Sequence, residues 1–239
     1  MIQRRTVLAL PALLLAGCAS GPRNVEQDNA IRRLAIVSIL EEDLPVVRIG
    51  LTVFNNTAAT LAPGFSVNQV AEKVVAERVS KSRPTWTIVQ TPYDSKTLAT
   101  QLRSSSGRPG GYDASRLQSD LASIANTSSA DALLVIVPEQ YERVPFPGIG
   151  IRVRTLSLSS ISDVEVVTAV TIRMLDAKAM PVAAAGTMHD TQSTVPASSL
   201  GLGYDLTTLD SESTKLAFRP VLLAQIQRGI FACMAGLQL

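Results

Sequence analysis

Residues 132–137, ALLVIV, form the most apolar run of the chain beyond its first seventeen residues. Bounded by Asp131 and Pro138 and only six residues long, the run reads as a central strand buried on both faces. Such a strand constrains the fold more than any other stretch, because it needs paired neighbours in a sheet and cover packed against it. Residues 33–40 read the same way, with Leu34 and Ile36 on one face and Val37 and Ile39 on the other.

The other elements arrange themselves around these two. Glu41, Glu42, Asp43 and Pro45 break the first strand, and residues 46–54 form a second, which the spacing pairs with the first as an antiparallel hairpin closed at Asn55 and Asn56. Acidic residues in such a loop read as a solvated run. Ser66 and Gln69 have capping-box spacing, and Val67, Val70, Ala71, Val74, Val75 and Val79 recur on one helical face. The valines lower intrinsic helix propensity, so this helix depends on packing. Residues 85–90 predict a short strand, Asp94 or Ser95 a cap for a helix with Leu98 and Leu102 inward, and residues 104–112 a loop. Asp113 reads as the cap of a helix carrying Leu117, Leu121, Ile124 and Ala125. Alternation slips between Val153 and Leu156, which predicts a bulge or strand end. Residues 164–175 place Val164, Val166, Val170, Ile172 and Met174 on one face, opposite a wet face of Glu165, Thr171 and Arg173. Residues 181–191 return as a hairpin strand, and residues 196–209 read as a loop. The last helix lines up Leu222, Ile226, Ile230, Cys233 and Leu237; Pro220 suits its first turn, or kinks it if the helix begins near Asp210. The expected fold is one α/β (α+β) domain, a mixed sheet with antiparallel hairpins, helices packed on it and a C-terminal helix.

The first seventeen residues are not part of that domain. Arg4 and Arg5 precede an apolar stretch, residues 7–16, that is shorter than the roughly 20 residues of a bilayer-spanning helix. Leu15, Ala16, Gly17 and Cys18 then resemble the lipobox of bacterial lipoprotein signal peptides. That resemblance implies a signal peptide over residues 1–17 and acylation of Cys18, palmitate included, on its sulfur and its new amino group. Two acyl chains convert marginal membrane binding into stable anchoring. The arginine pair reads as ordinary leader charge, with twin-arginine export as the other reading. Ala19, where a retention aspartate would keep a lipoprotein in the inner membrane, favours the outer membrane. Residues 18–29 form the lipidated cysteine and a polar tether of roughly 15–20 Å reach, and residues 30–239 the periplasmic domain.

Composition bears mainly on partners. Removing Arg4 and Arg5 with the leader leaves twenty basic residues against twenty acidic ones, so no net field draws the mature chain to nucleic acid. With Cys18 lipidated, Cys233 has no disulfide partner and reads as a small buried core residue. His189, beside Asp190, is the one histidine. It reads as a surface residue of a hairpin strand, and one His with one free Cys cannot furnish the usual zinc ligands. The nucleophile-elbow pattern is missing, and Gly148-Ile149-Gly150 and Gly201-Leu202-Gly203 lack the continuation of phosphate-binding loops. No catalytic, metal or cofactor site is therefore assigned.

The order of elements from about residue 31 to 237, with Ala130, Asp131 and Ala132 at a helix-to-strand junction, resembles periplasmic lipoprotein domains of the curli-secretion and penicillin-binding-protein-activator types. That resemblance implies a non-enzymatic, membrane-anchored protein that binds or supports another envelope protein or polymer, with self-assembly as a variant. The rival readings are an envelope hydrolase or phosphoesterase built on carboxylates, serines and His189, and a small-molecule or lipid carrier with an enclosed apolar cavity.

Overall fold

A computed structural model describes residues 29–50, 56–104, 114–140, 146–157, 160–187, 192–202, 206, 209 and 211–239. In chain order these form β1 (Arg33–Ser38), β2 (Leu44–Ile49), β3 (Thr57–Leu61), α1 (Val67–Ser82), β4 (Thr87–Val89), α2 (Ser95–Ser104), a 3-10 turn (Ala114–Leu117) and α3 (Gln118–Ser128). They continue with β5 (Ala132–Pro138), β6 (Gly148–Ser157), β7 (Ser160–Asp176), β8 (Pro181–Gly186), β9 (Gln192–Pro196), a second 3-10 turn (Ala197–Leu200) and α4 (Glu212–Gly236). The nine strands make one mixed sheet, so the expected α/β domain is the one the chain adopts.

The 17-residue β7 is its spine. The first half of β7 pairs with β6 and β9, and its second half with β5 and β8. Glu139 N donates to Ala169 O at 2.8 Å and Gly148 N to Glu139 O at 3.0 Å, which puts β5 and β6 end to end along one side of β7. Beyond β5 lie β1 and β4, both parallel to it. Beyond β6 lies parallel β2, then antiparallel β3 at the sheet's edge. One half-sheet is thus β4-β1-β5-β7-β8 and the other β3-β2-β6-β7-β9.

The apolar pattern explains the layers. β5 is buried throughout. Leu134 and Ile136 join Leu34 and Ile36 under α1 and α4, while Leu133, Val135 and Val137 join Ala35 and Val37 under α2 and α3. Leu222, Ile226, Ile230, Cys233 and Leu237 of α4 are all buried, as their spacing predicts. Cys233 Sγ lies 3.5 Å from Val170 O, and burial pushes its thiol up to about 12. Gly229 lets α4 approach β7, since a Cβ there would collide with the Thr168 side chain. Pro220 lies inside α4, eight residues past Glu212, so the helix does begin early; Ser211 caps it by accepting from Thr214 N at 3.2 Å.

Four expectations need correction. β1 and β2 do not form a hairpin: each pairs elsewhere, because the turn at residues 41–43 sends β2 onward beside β6. β3 and most of β9 lie where the sequence predicts no element, between Asn56 and Ser66 and ahead of the loop expected from residue 196; both are short and lack the apolar alternation that marks strands. The β7 face read as wet is not: Glu165 is 3% exposed and Thr171 is buried. The acidic run is not simply solvated, as described below. By contrast, Ser66 does cap α1, Leu98 and Leu102 point inward, and the β6–β7 register shifts at residues 154–157, where alternation slipped.

Candidate functional site

Parallel β1 lies between β4 and β5, and α1 leads to one neighbour while α2 and α3 lead to the other. The connections therefore diverge at the carboxyl end of β1, the position where open α/β sheets form crevices. A groove of about 710 Å³ lies there. Leu40, Glu41, Glu42 and Asp43, which follow β1, make one wall; Lys96, Ala99 and Arg103 of α2 make another. Its floor is a face of the second half-sheet that no described helix covers, with Pro45 and Val47 of β2 and Ala58 and Thr60 of β3, closed at one end by Phe146 and Pro147.

The acidic wall is organised by hydrogen bonds. Glu42 reaches the amino end of α1, where its carboxylate accepts from Val67 N at 2.6 Å, Ser66 Oγ at 2.8 Å and Asn68 Nδ2 at 2.8 Å. A helix amino terminus attracts anions through its unpaired N–H groups and dipole. Here the chain's own carboxylate occupies that position, so the place where a phosphate would sit is filled. Asn68, buried, pairs with both backbone groups of Leu40 at 2.8 and 2.9 Å. Glu41 pairs with Arg103 at 3.2 Å across the groove. Asp94 caps α2 by accepting from Lys96 N at 3.0 Å, and hydrogen bonds from Thr97 hold its carboxyl below the ordinary range.

Behind this wall, Tyr93 Oη accepts from Ser38 N at 2.8 Å and donates to a Glu72 carboxylate oxygen. Burial pushes the Glu72 carboxyl up, the Glu42 charge adds to this, and hydrogen bonds from Tyr93 and Ser38 oppose it. Burial and the Glu72 carboxylate push the Tyr93 phenol up as well. Ser38 Oγ is buried with no hydrogen-bond partner among the described residues. A neutral phenol between a strand end and a carboxyl fixes α1 against β1.

The groove's outer limit is a sheet edge. Ile49 O accepts from Thr155 Oγ1 of β6 at 2.8 Å, so alternate residues Pro45, Val47 and Ile49 turn their backbone groups toward β6. Leu44, Val46 and Arg48 therefore serve β3, opposite Leu61, Ala59 and Thr57. The N–H and C=O of Ala58 and Thr60 consequently point away from the sheet. The edge carries no charge and no proline in TAATL, the features that normally discourage strand addition.

Elsewhere on the same half-sheet, buried Glu165 lies between two arginines, with Arg152 directly opposite it and Arg154 Nε at 2.8 Å. Cys18, His189 and residues 105–113 lie outside the described residues. Asp131 fastens the start of β1: its Oδ2 accepts from Arg32 N and Arg33 N, both at 2.8 Å. The sequence reading missed the groove and the roles of Glu42, Asn68, Glu72 and Tyr93. Those residues meet over separations of 21 to 55 positions, without a local signature. The absence of charge in residues 57–61 was the one local signal for an open edge.

Among the described residues no helix is long and apolar enough to cross a membrane. No family profile and no curated protein matches the sequence. Among solved structures, the chain is similar to the lipoprotein GNA1162 from Neisseria meningitidis, at 10% identity and a TM-score of 0.25, over 79% of this chain and 92% of that one.

Proposed function

We propose that this is a lipid-anchored periplasmic protein that uses the groove beside β3 to hold an extended segment of another envelope protein. The observation that carries this reading is the coincidence of edge and groove. Ala58 and Thr60 offer outward backbone groups where Pro45, Val47 and Phe146 offer apolar surface. An added strand gains affinity from main-chain hydrogen bonds and specificity from side chains set into adjoining pockets. The groove lies open and carries charges on two walls, which suits an extended polypeptide better than the enclosed apolar cavity of a lipid carrier. The lipobox-like Leu15 to Cys18 supports the anchor, and the mature chain's charge balance leaves nucleic acid without an electrostatic pull.

Ala58→Pro tests the binding site. It removes an outward N–H while leaving the β2–β3 bonds in place. Affinity isolation from envelope extracts should recover a defined partner with the wild type and lose it with Ala58→Pro, at a Tm close to wild type. Equal recovery by both proteins would rule out strand addition at β3. Cys18→Ala tests the anchor separately and should move the protein out of the membrane fraction.

A further inference from the structure

The inner side of α4 packs on the sheet. Its outer side carries Leu216, Pro220, Ala224, Phe231 and Ala235, an apolar stripe at helical period that exposed Gln227 interrupts between Ala224 and Phe231. Leu216 is 71% exposed and Phe231 42% exposed. From Leu216 to Phe231 the stripe is about 22 Å long. A surface helix usually turns a polar face outward, yet Leu216 and Phe231 lie on that face with no described residue covering them.

Two observations identify the cover, and the tether expected from the sequence agrees with them. The first is charge. Arg219 and Arg228 flank the stripe on opposite sides, held out by the Phe65 ring at 5.8 Å and by Gln192 O and Ser193 Oγ at 3.3 and 3.1 Å. The one acidic residue of α4, Glu212, pairs with Lys215 at 3.4 Å. A second copy docked on this stripe would therefore bring guanidiniums together without acids to meet them, whereas an anionic surface complements them. The second is position. Gln238 O, just past α4, accepts from Arg83, whose guanidinium stacks over Trp86; the next residue, Thr87, donates to Arg32 O at 2.7 Å. The Phe231 end of the stripe thus lies at the end of the domain where residues 29–32 enter it. A tether of the expected length, with a reach of roughly 15–20 Å, would keep that end of the stripe near the lipid.

We propose that the outer face of α4 lies on an anionic phospholipid surface, with Leu216 and Phe231 among the acyl chains and Arg219 and Arg228 at the headgroups. This rests on the reading of Cys18 as the lipid anchor. It orients the domain with α4 toward the membrane and α2, α3 and the acidic groove wall away from it, on the opposite side of the sheet. In-plane helices of this kind bind through apolar area plus attraction to anionic lipid.

The test uses full-length protein in which Trp86→Phe leaves a single Trp, introduced by Phe231→Trp or by Gln101→Trp on α2, and vesicles of phosphatidylethanolamine and phosphatidylglycerol with brominated acyl chains. Acylated protein should show bromine quenching at position 231 and none at position 101. Unacylated Cys18→Ala protein with excess vesicles should show the same contrast. Leu216→Glu with Phe231→Glu in the Cys18→Ala background should weaken vesicle binding on the order of tenfold or more, and Arg219→Gln with Arg228→Gln should weaken it in low salt. Membrane-bound wild type with position 231 unquenched would overturn the proposal while leaving the anchor intact. Membrane retention of Cys18→Ala in cells would instead remove the anchor, and the vesicle measurement would still decide the stripe. Concentration-dependent dimerisation abolished by the two glutamates, without quenching, would assign the stripe to a second copy and overturn the proposal.

Discussion

Two carboxylates, Glu165 buried and Glu72 half-buried, illustrate how differently one residue type can act in this chain. Glu165 is an ion-pair centre: with Arg152 and Arg154 it ties β6 to β7. Removing one member of a buried pair leaves the others uncompensated, typically at a cost of about 3 kcal/mol. Glu165→Gln should therefore lower Tm by roughly 6–12 °C for a domain this size; an unchanged Tm in thermal denaturation would contradict that role. Glu72 is the reverse case, a carboxyl that burial pushes up and that Tyr93 keeps hydrogen-bonded. The folded chain holds its proton more tightly than the unfolded chain does. Its contribution to stability is thus full below the ordinary glutamate range and is lost as pH rises through the raised value. Glu72→Gln keeps an acceptor for the Tyr93 hydroxyl and removes that loss. The variant's Tm relative to wild type should rise from acid to neutral pH, and a difference that stays flat with pH would rule the explanation out.

Among the elements, α1 depends most on residues distant in sequence. Its valine-rich face gives modest intrinsic helicity, and its amino end is closed by Glu42, 24 residues before Ser66. Glu42→Ala should cost about 2 kcal/mol through the lost charge-assisted bonds, read as a Tm drop of roughly 4–8 °C. A loss no larger than that of an exposed surface glutamate would show that Ser66 alone suffices. The same contact explains which parts of the fold were legible. Capping at Ser66, the inward leucines of α2, the buried β5 and the α4 seam all follow from patterns within one element. The hairpin expected from β1 and β2 failed because its turn residues are recruited by α1 and α2 through Glu42 and Glu41. No window on the sequence contains both partners of those contacts. β3 and β9 escaped notice because threonine, serine, alanine and glutamine complete a sheet edge without an apolar signature.

At the scale of the molecule, β7 organises two half-sheets with different cover. Helices lie on both faces of the β4-β1-β5 half, while no described helix covers one face of the β3-β2-β6 half. The groove forms where the covered half meets the uncovered one, and the exposed stripe of α4 lies on the other side of the sheet. A chain tethered near residue 29 with α4 toward lipid would present that groove to the periplasm. The sequence offered an expected address, Leu15 to Cys18, and no sign of the groove, which is assembled from β1, β2, β3 and α2 across more than sixty residues. The most direct test of the binding claim is photo-crosslinking in intact cells from a benzoylphenylalanine placed at Thr60. A discrete crosslink to an envelope protein, lost when Ala58→Pro is added and missing from the same probe at Gln101, is the result expected. No crosslink from position 60, or one that survives Ala58→Pro, would contradict partner binding at the β3 edge.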